Sequence, residues 1–393
     1  MALRGEDGLR FDHRRIDDDP PAGRMGFCLT TDLTGNGRPD VLVGAMGGRY
    51  PVTLPVVGKR IDLRLLPGTR DVIERLEWNV FWYENPGWER HEVARAPDLS
   101  IGGSLGDLTG NGRVDLVAGQ NLSNDLYWFE QPADPRDRWT RRLITDEFTK
   151  YHDTVVADVD DDGEPEVLAL SQRSETVFYY DVPADPTREP WPADHRHVVA
   201  ENLNVEGVAV RDIDGDGRTE IVAGTNVFHR RGDGSWEREA IATGWDWTRL
   251  AVADLDGDGD LEVVAAEGDL PYQGDRRARL GVFDPPDWEL TLLHDDLSNP
   301  HTVQVLPSSG IDDGGDHDGA PPDLFVAEMG LEEGHEPRQF RFHNRGDGTF
   351  EPELLVTGVP THEAKVVDLD GDDRPDVVGK AYDTRHVDVW YGR

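Results

Sequence analysis

"YHDTVVADVDDDGEPEVLAL", residues 151–170, decides how the chain is read. Two apolar runs read as short strands. Between them Asp158, Asp160, Asp162 and Glu166 take positions one, three, five and nine of a loop whose sixth residue is Gly163. Oxygens at that spacing curl around one point and the glycine permits the sharp turn, a donor set suited to a hard cation such as calcium. One copy would be weak evidence, but the pattern recurs. "DLTGNGRPD" begins at Asp32, "DLTGNGRVD" at Asp107, "DIDGDGRTE" at Asp212, "DLDGDGDLE" at Asp254 and "DLDGDDRPD" at Asp368, with a degenerate version over 311–323. Copies lie roughly 40 to 75 residues apart, the range of propeller blades.

Each copy carries the same parts. An apolar run precedes the loop and another follows it. An aromatic alternating run comes third ("NVFWYENPG", "DLYWFEQPA", "TVFYYDVPA") and a more polar one fourth ("WERHEVA", "WTRRLIT"). Four short strands separated by turn residues read as a four-stranded blade. The last copy stops at its third strand, "HVDVWYGR", while the chain opens with a fourth-type strand, "LRFDHRRI". The N-terminal strand should therefore complete the last blade and remove two exposed edges. This predicts an all-β fold, one domain over residues 1–393, a seven-bladed β-propeller of four-stranded antiparallel blades. The alternative counts the insertion over 45–79 as a decayed eighth blade, but that stretch has no acid loop. A long insertion in a compact domain is read as a lid or binding element.

The loops give the candidate calcium ligands. Four are acidic at all four positions: Asp158, Asp160, Asp162, Glu166; Asp212, Asp214, Asp216, Glu220; Asp254, Asp256, Asp258, Glu262; and Asp368, Asp370, Asp372, Asp376. The first two carry Asp32, Asn36, Asp40 and Asp107, Asn111, Asp115, with threonine at position three, and should bind more weakly.

Net charge is −39, from 79 acids against 40 bases. That excludes nucleic acid bound through phosphates and an anionic membrane bound through a basic patch. Only Lys59, Lys150, Lys365 and Lys380 are lysine; every other base is arginine. An acid-rich, lysine-poor surface is the composition expected of a halophilic protein. Cys28 is the single cysteine, so no intrachain disulfide forms, and its apolar context reads as core. No run is long and apolar enough to span a membrane, and the first residues lack an apolar signal-peptide core, so a cytoplasmic location is expected.

In a propeller the innermost strands begin on one face, around the channel mouth, and the acid loops lie on the other. The residue six before each loop then maps a ring at the mouth: Gly26, Ile101, His152, Glu206, Thr248, His301 by alignment, and His362. Next to them come Asp153, Arg249 and Glu363. Loops between second and third strands should open on the same face. They supply Gln120, Asn121, Gln172, Arg173, Asn226, His229, Glu267, Asp269, Tyr272, Glu328, His335, Lys380 and Tyr382. The insertion adds Arg49, Tyr50, Lys59, Arg60 and Arg64, a basic patch suited to an anionic carbohydrate. Such a set fits β-elimination, which needs a cation on the substrate carboxylate, a base for the adjacent proton and an acid for the leaving group. Arg249 or a metal would be the first, His152, His301 or Lys380 the second, and Tyr382 the third. Alternatively His152, His301 and His362 hold a catalytic zinc or another divalent metal. Two "RGD" triplets, at Arg231 and Arg345, lie in turn-like contexts and read as turns.

The repeats resemble the FG-GAP or VCBS type, which implies the propeller and calcium in the loops. The tail "THEAKVVDLDGDDRPDVVGKAYDTRHVDVWYGR", with "NPHTVQV" and "DLFVAEMG", resembles the propeller of the aldos-2-ulose dehydratase and rhamnose–glucuronate lyase families. That resemblance implies sugar elimination at the channel mouth, with zinc assistance in the dehydratase. Two function classes follow. One is a lyase or dehydratase acting on a small acidic or keto sugar. The other is a noncatalytic binding or adhesion propeller.

Overall fold

The computed structural model describes residues 11–47, 51–53, 60–62, 66, 68–69, 78–96, 98–307 and 321–393. Seven four-stranded antiparallel sheets follow one another along the chain. Their innermost strands are Met25–Thr31, Leu99–Gly106, Tyr151–Ala157, Val208–Arg211, Thr248–Ala253, Thr302–Leu306 and Glu363–Val367. The seventh sheet is completed by Phe11–Asp17, whose residues pair from Phe11 with Gly392 to Asp17 with Val387 along the strand Val387–Gly392. The ring closes as expected, with seven blades. Of the insertion, Pro51–Thr53 and Arg60–Asp62 form a two-stranded hairpin, not a blade. Arg49, Tyr50, Lys59, Arg64 and the degenerate loop over 311–320 lie outside the described residues. No helix among the described residues is long and apolar enough to cross a membrane.

The core lies between blades. Seven apolar clusters each join two neighbouring sheets, from Phe27, Trp82 and Phe129 between the first and second to Phe325, Trp390 and Phe11 between the sixth and seventh. The aromatic third strands supply much of this. Trp82 and Trp128 are fully buried, and such rings bury more apolar area than any other side chain. Cys28 sits in the cluster joining the seventh and first blades, with its thiol pushed up to about 12 chiefly by burial. The second and third inner strands approach most closely at Gly102. A Cβ on Gly102 would lie 2.4 Å from both the Asp153 Cα and the His152 carbonyl oxygen. That close approach fixes the backbone that carries His152.

The acid loops sit at the far end of the same strands, and each is built by its first aspartate. Asp158 accepts the N–H groups of Asp162 and Gly163, and Asp32 those of Asn36 and Gly37. Both RGD triplets are hairpin turns in which the aspartate caps the next residues, Asp233 on Ser235 and Asp347 on Thr349.

Candidate functional site

The mouth is a cavity of about 180 Å³ lined by residues that include Ile101, His152, Glu206, His301 and His362. Four of these lie six before their loops, and His301 holds the ring position by alignment. Asn121, Asp269, Tyr272 and Tyr382 from the second-to-third-strand loops join them. Below lies a second cavity of about 200 Å³, lined by Asp153, Arg249, Gln304, Glu363 and Lys365, with His301 common to both.

Three side chains at the mouth converge. Ligand atoms of His152, Glu206 and His301 all lie within 4.8 Å of one another. All three residues are buried. His152 Nε2 is 3.3 Å from Glu206 Oε1, and its Nδ1 is 2.7 Å from Asp153 Oδ2. Asp153 is held in turn by Arg249 at 3.0 Å and by the Gly207 N–H at 2.9 Å. His301 Nδ1 donates to the His362 carbonyl at 3.1 Å, which leaves Nε2 as its lone-pair nitrogen. Glu206 Oε1 accepts from Gln172, while Oε2 is buried without a hydrogen-bond partner. Two imidazoles anchored on their outer nitrogens, beside a carboxylate with an orphaned oxygen, form a set that fits a divalent ion.

The charges agree. Burial, then Arg249 and His152, hold His301 well below the usual histidine range, so its imidazole is neutral. Burial works against a charged His152, but Glu206 and Asp153 outweigh it and raise its pKa. Burial also opposes ionisation of Asp153, yet Arg249 and His152 keep it well below the usual carboxylate range. Burial, then Glu206, pushes Asp269 up to about 7.

Several expected roles move. His362 stacks on His301 at 4.1 Å, but its Nδ1 receives Lys380, and the side chains whose ligand atoms converge are two histidines and Glu206. Lys380, expected as a base, is buried behind His362 and donates to the Met25 and Gly26 carbonyls and to His362. Burial lowers it to about 7, but with those partners it supports His362 instead of facing the mouth. Arg249 lines the lower cavity, bound to Asp153, not the mouth. Tyr382 stays at the mouth, 4.8 Å from the His362 ring, with its hydroxyl 3.5 Å from Met46 Sδ. His229 lies at the opposite end of its blade, 3.6 Å from Glu220. Glu267 is clamped by Arg276 and Arg279, and Glu328 by Arg338 and His335. Neither carboxylate is available to a ligand.

The acid loops divide by their ninth residue. Where it is aspartate, both oxygens serve backbone. Asp40 accepts Leu33 and Asn85, Asp115 accepts Leu108 and Gln131, and Asp376 accepts Leu369 and Gly392. These three, expected as ligands, also latch the loop to the third strand. Where it is glutamate, one oxygen makes the same latch and the extra methylene carries the other toward the loop. Glu166, Glu220 and Glu262 so join Asp158 and Asp160, Asp212 and Asp214, and Asp254 and Asp256; in the last loop Asp368, Asp370 and Asp372 converge without Asp376. Asp162, Asp216 and Asp258 stay outside those trios, each with one oxygen on a backbone N–H two residues on. In the first two loops Asn36 and Asn111 likewise accept a backbone N–H two residues on, and the acids at ligand positions are two per loop, Asp32 with Asp40 and Asp107 with Asp115. Glu262 Oε1, Asp212 Oδ1, Asp160 Oδ1 and Asp370 Oδ1 are buried without partners.

Residues 107–169 and 212–265 match the family model described as FG-GAP-like repeat, so these two stretches carry FG-GAP-like repeats. Among solved structures it is similar to BBS1N in complex with ARL6DN, at 10% identity and a TM-score of 0.57 over 99% of this chain and 96% of that one. It is also similar to a catalytically inactive virginiamycin B lyase from Staphylococcus aureus with quinupristin, at 9% identity and a TM-score of 0.52 over 97% of this chain and 99% of that one. At such identities the likeness is one of fold. No curated protein matches the chain.

Proposed function

We propose that the chain is a metal-assisted carbon–oxygen lyase, acting by β-elimination on a small acidic or keto sugar at the channel mouth. The observation that carries this reading is the cluster of His152, Glu206 and His301, with outer nitrogens anchored and one oxygen orphaned. A zinc or similar ion there would polarise a substrate carbonyl or carboxylate and acidify the adjacent C–H. The chain's own groups do the rest. Asp269, on the wall of the same cavity, is placed to accept the proton from the carbon next to the carbonyl. The electron pair forms the new C=C bond as the C–O bond to the next carbon breaks. Tyr382, on the same wall, is placed to return a proton to the departing oxygen, which leaves as water or an alcohol. Lys380 fixes His362, and His362 backs His301 by stacking and by its carbonyl. Calcium in the loops opened by Asp158, Asp212, Asp254 and Asp368 would tie inner strands on the opposite face.

The test is absorbance of the new conjugated double bond, with zinc-loaded protein in high salt and calcium, against uronate oligosaccharides and keto sugars. His301→Ala is the control. A signal lost in the variant supports elimination at the mouth. A signal retained moves the chemistry elsewhere. No signal from folded, metal-loaded protein favours the noncatalytic binding propeller.

A further inference from the structure

Lysine is rare here, and its placement is not random. Lys150, Lys365 and Lys380 are the three described lysines, and all lie around the channel. Lys365 is neutralised by Glu363 at 3.1 Å, and Lys380 is consumed by two carbonyls and His362. Lys150 differs. It lines the mouth, and its ammonium makes no hydrogen bond or ion pair among the described residues. Its charge acts on the Asp269 carboxyl across the cavity. Its backbone is left-handed, with φ 63°, and is held there by the Gln172 N–H on its carbonyl at 2.9 Å. A bulky side chain at positive φ is a costly conformation, kept where the surroundings enforce it.

Resting on the lyase reading above, we propose that Lys150 is the specificity-determining cation of the mouth and that its ligand is one carboxylated sugar unit. The carboxylate binds the ammonium while the ring's oxygens face the cluster of His152, Glu206 and His301. Arg249 cannot take this part, because it is committed to Asp153 in the lower cavity. The size of the site selects a single ring. A mouth of about 180 Å³ is well below the roughly 300–1,000 Å³ of pockets that hold drug-sized ligands. Tyr272, largely exposed at the rim, and Tyr382 in the wall offer faces to the sugar. An ammonium, unlike a guanidinium, is a compact charge with three rotatable donors, suited to one carboxylate in a narrow space.

The experiment is calorimetric titration of the zinc-loaded full chain with D-glucuronate and with its uncharged methyl ester. The wild type is expected to prefer the acid by about tenfold or more, the scale of a charge-assisted hydrogen bond. Lys150→Met and Lys150→Gln should both erase that preference by weakening binding of the acid far more than of the ester. A preference that survives both substitutions overturns the assignment. Equal wild-type binding of acid and ester overturns the role of Lys150 and leaves the sugar reading standing. No binding of either probe sinks the sugar reading and this inference with it. A uronate trimer bound far more tightly than the monomer overturns the single-unit claim alone.

Discussion

Replacing Asp153 by asparagine tests the mouth as a metal centre. In the native protein Asp153 holds three groups: His152 at 2.7 Å, the Gly207 N–H at 2.9 Å and Arg249 at 3.0 Å. Asparagine keeps the shape but loses the charge and one acceptor. Outer partners of metal-binding histidines are worth about 10–100-fold in metal affinity. At tenfold per ~1.4 kcal/mol that is about 1.4–2.8 kcal/mol. The same change strands Arg249, and removing one partner of a buried ion pair costs about 3–5 kcal/mol of stability. The two losses are separable. Asp153→Asn should weaken zinc binding 10–100-fold and lower Tm. Adding Arg249→Met removes the stranded charge and should restore much of the Tm but none of the zinc affinity. Zinc affinity is read by competition with a chromophoric chelator, and Tm by circular dichroism. Native zinc affinity in Asp153→Asn would refute the reasoning, as would zinc affinity recovering with Tm in the double variant.

In the loops, Glu262→Gln should reduce the rise in Tm on adding calcium, whereas Asp40→Asn should lower Tm equally with calcium or chelator, by about 1–3 kcal/mol of stability. Thermal melts in both media distinguish a ligand from a latch. At the ring closure, buried Asp388 accepts from His13 at 2.8 Å, Arg15 at 3.0 Å and His386. Burial opposes its ionisation, but His13 and His386 hold its pKa far below the usual range. A depressed carboxylate contributes stability above its unfolded pKa of about 4 and loses it as pH falls toward the folded value. The Tm deficit of Asp388→Asn should therefore be full at neutral pH and shrink below about pH 4; a deficit constant with pH would contradict this. Gly102→Ala should cost more than the about 1–3 kcal/mol of ordinary overpacking, because backbone blocks the new methyl. Gly110→Asp should be nearly neutral in the same melts, since Gly110 has open space around it and Asp161 holds the same loop position at φ 60°.

The blade count, the closing strand and the mouth ring were legible because each rests on backbone register. Six clear copies of one loop locate six inner strands, and a fixed offset of six residues reaches His152, Glu206 and His362 whatever their rotamers. What register cannot tell is depth and partnership. Arg249 is one residue past the ring and so falls into the lower cavity. Lys380 belongs to a second strand, and its long chain reaches back under His362. The ligand role proposed for Glu206 was hidden because a glutamate in the ring looks like any wet acid until its orphaned oxygen is seen. Asp40, Asp115 and Asp376 satisfy the spacing for calcium, but spacing does not show that their oxygens also latch the loop to the third strand. The signal for Lys150 was present as the rarity of lysine, without anything to say that its charge stands alone.

The closing strand also sets how the ring responds to force. Phe11 faces Gly392 and Asp17 faces Val387, so the two chain ends leave the seventh blade at the same corner. A load applied across them falls on one rung of the antiparallel ladder at a time. It therefore peels the strand open like a zipper instead of shearing all rungs together. Asp388, tied to His13 and Arg15 within that ladder, is the tooth at which such peeling would pause. Tension carried between other points on the ring would meet whole blades wedged against their neighbours, so this propeller is mechanically weakest along the seam that makes it a circle.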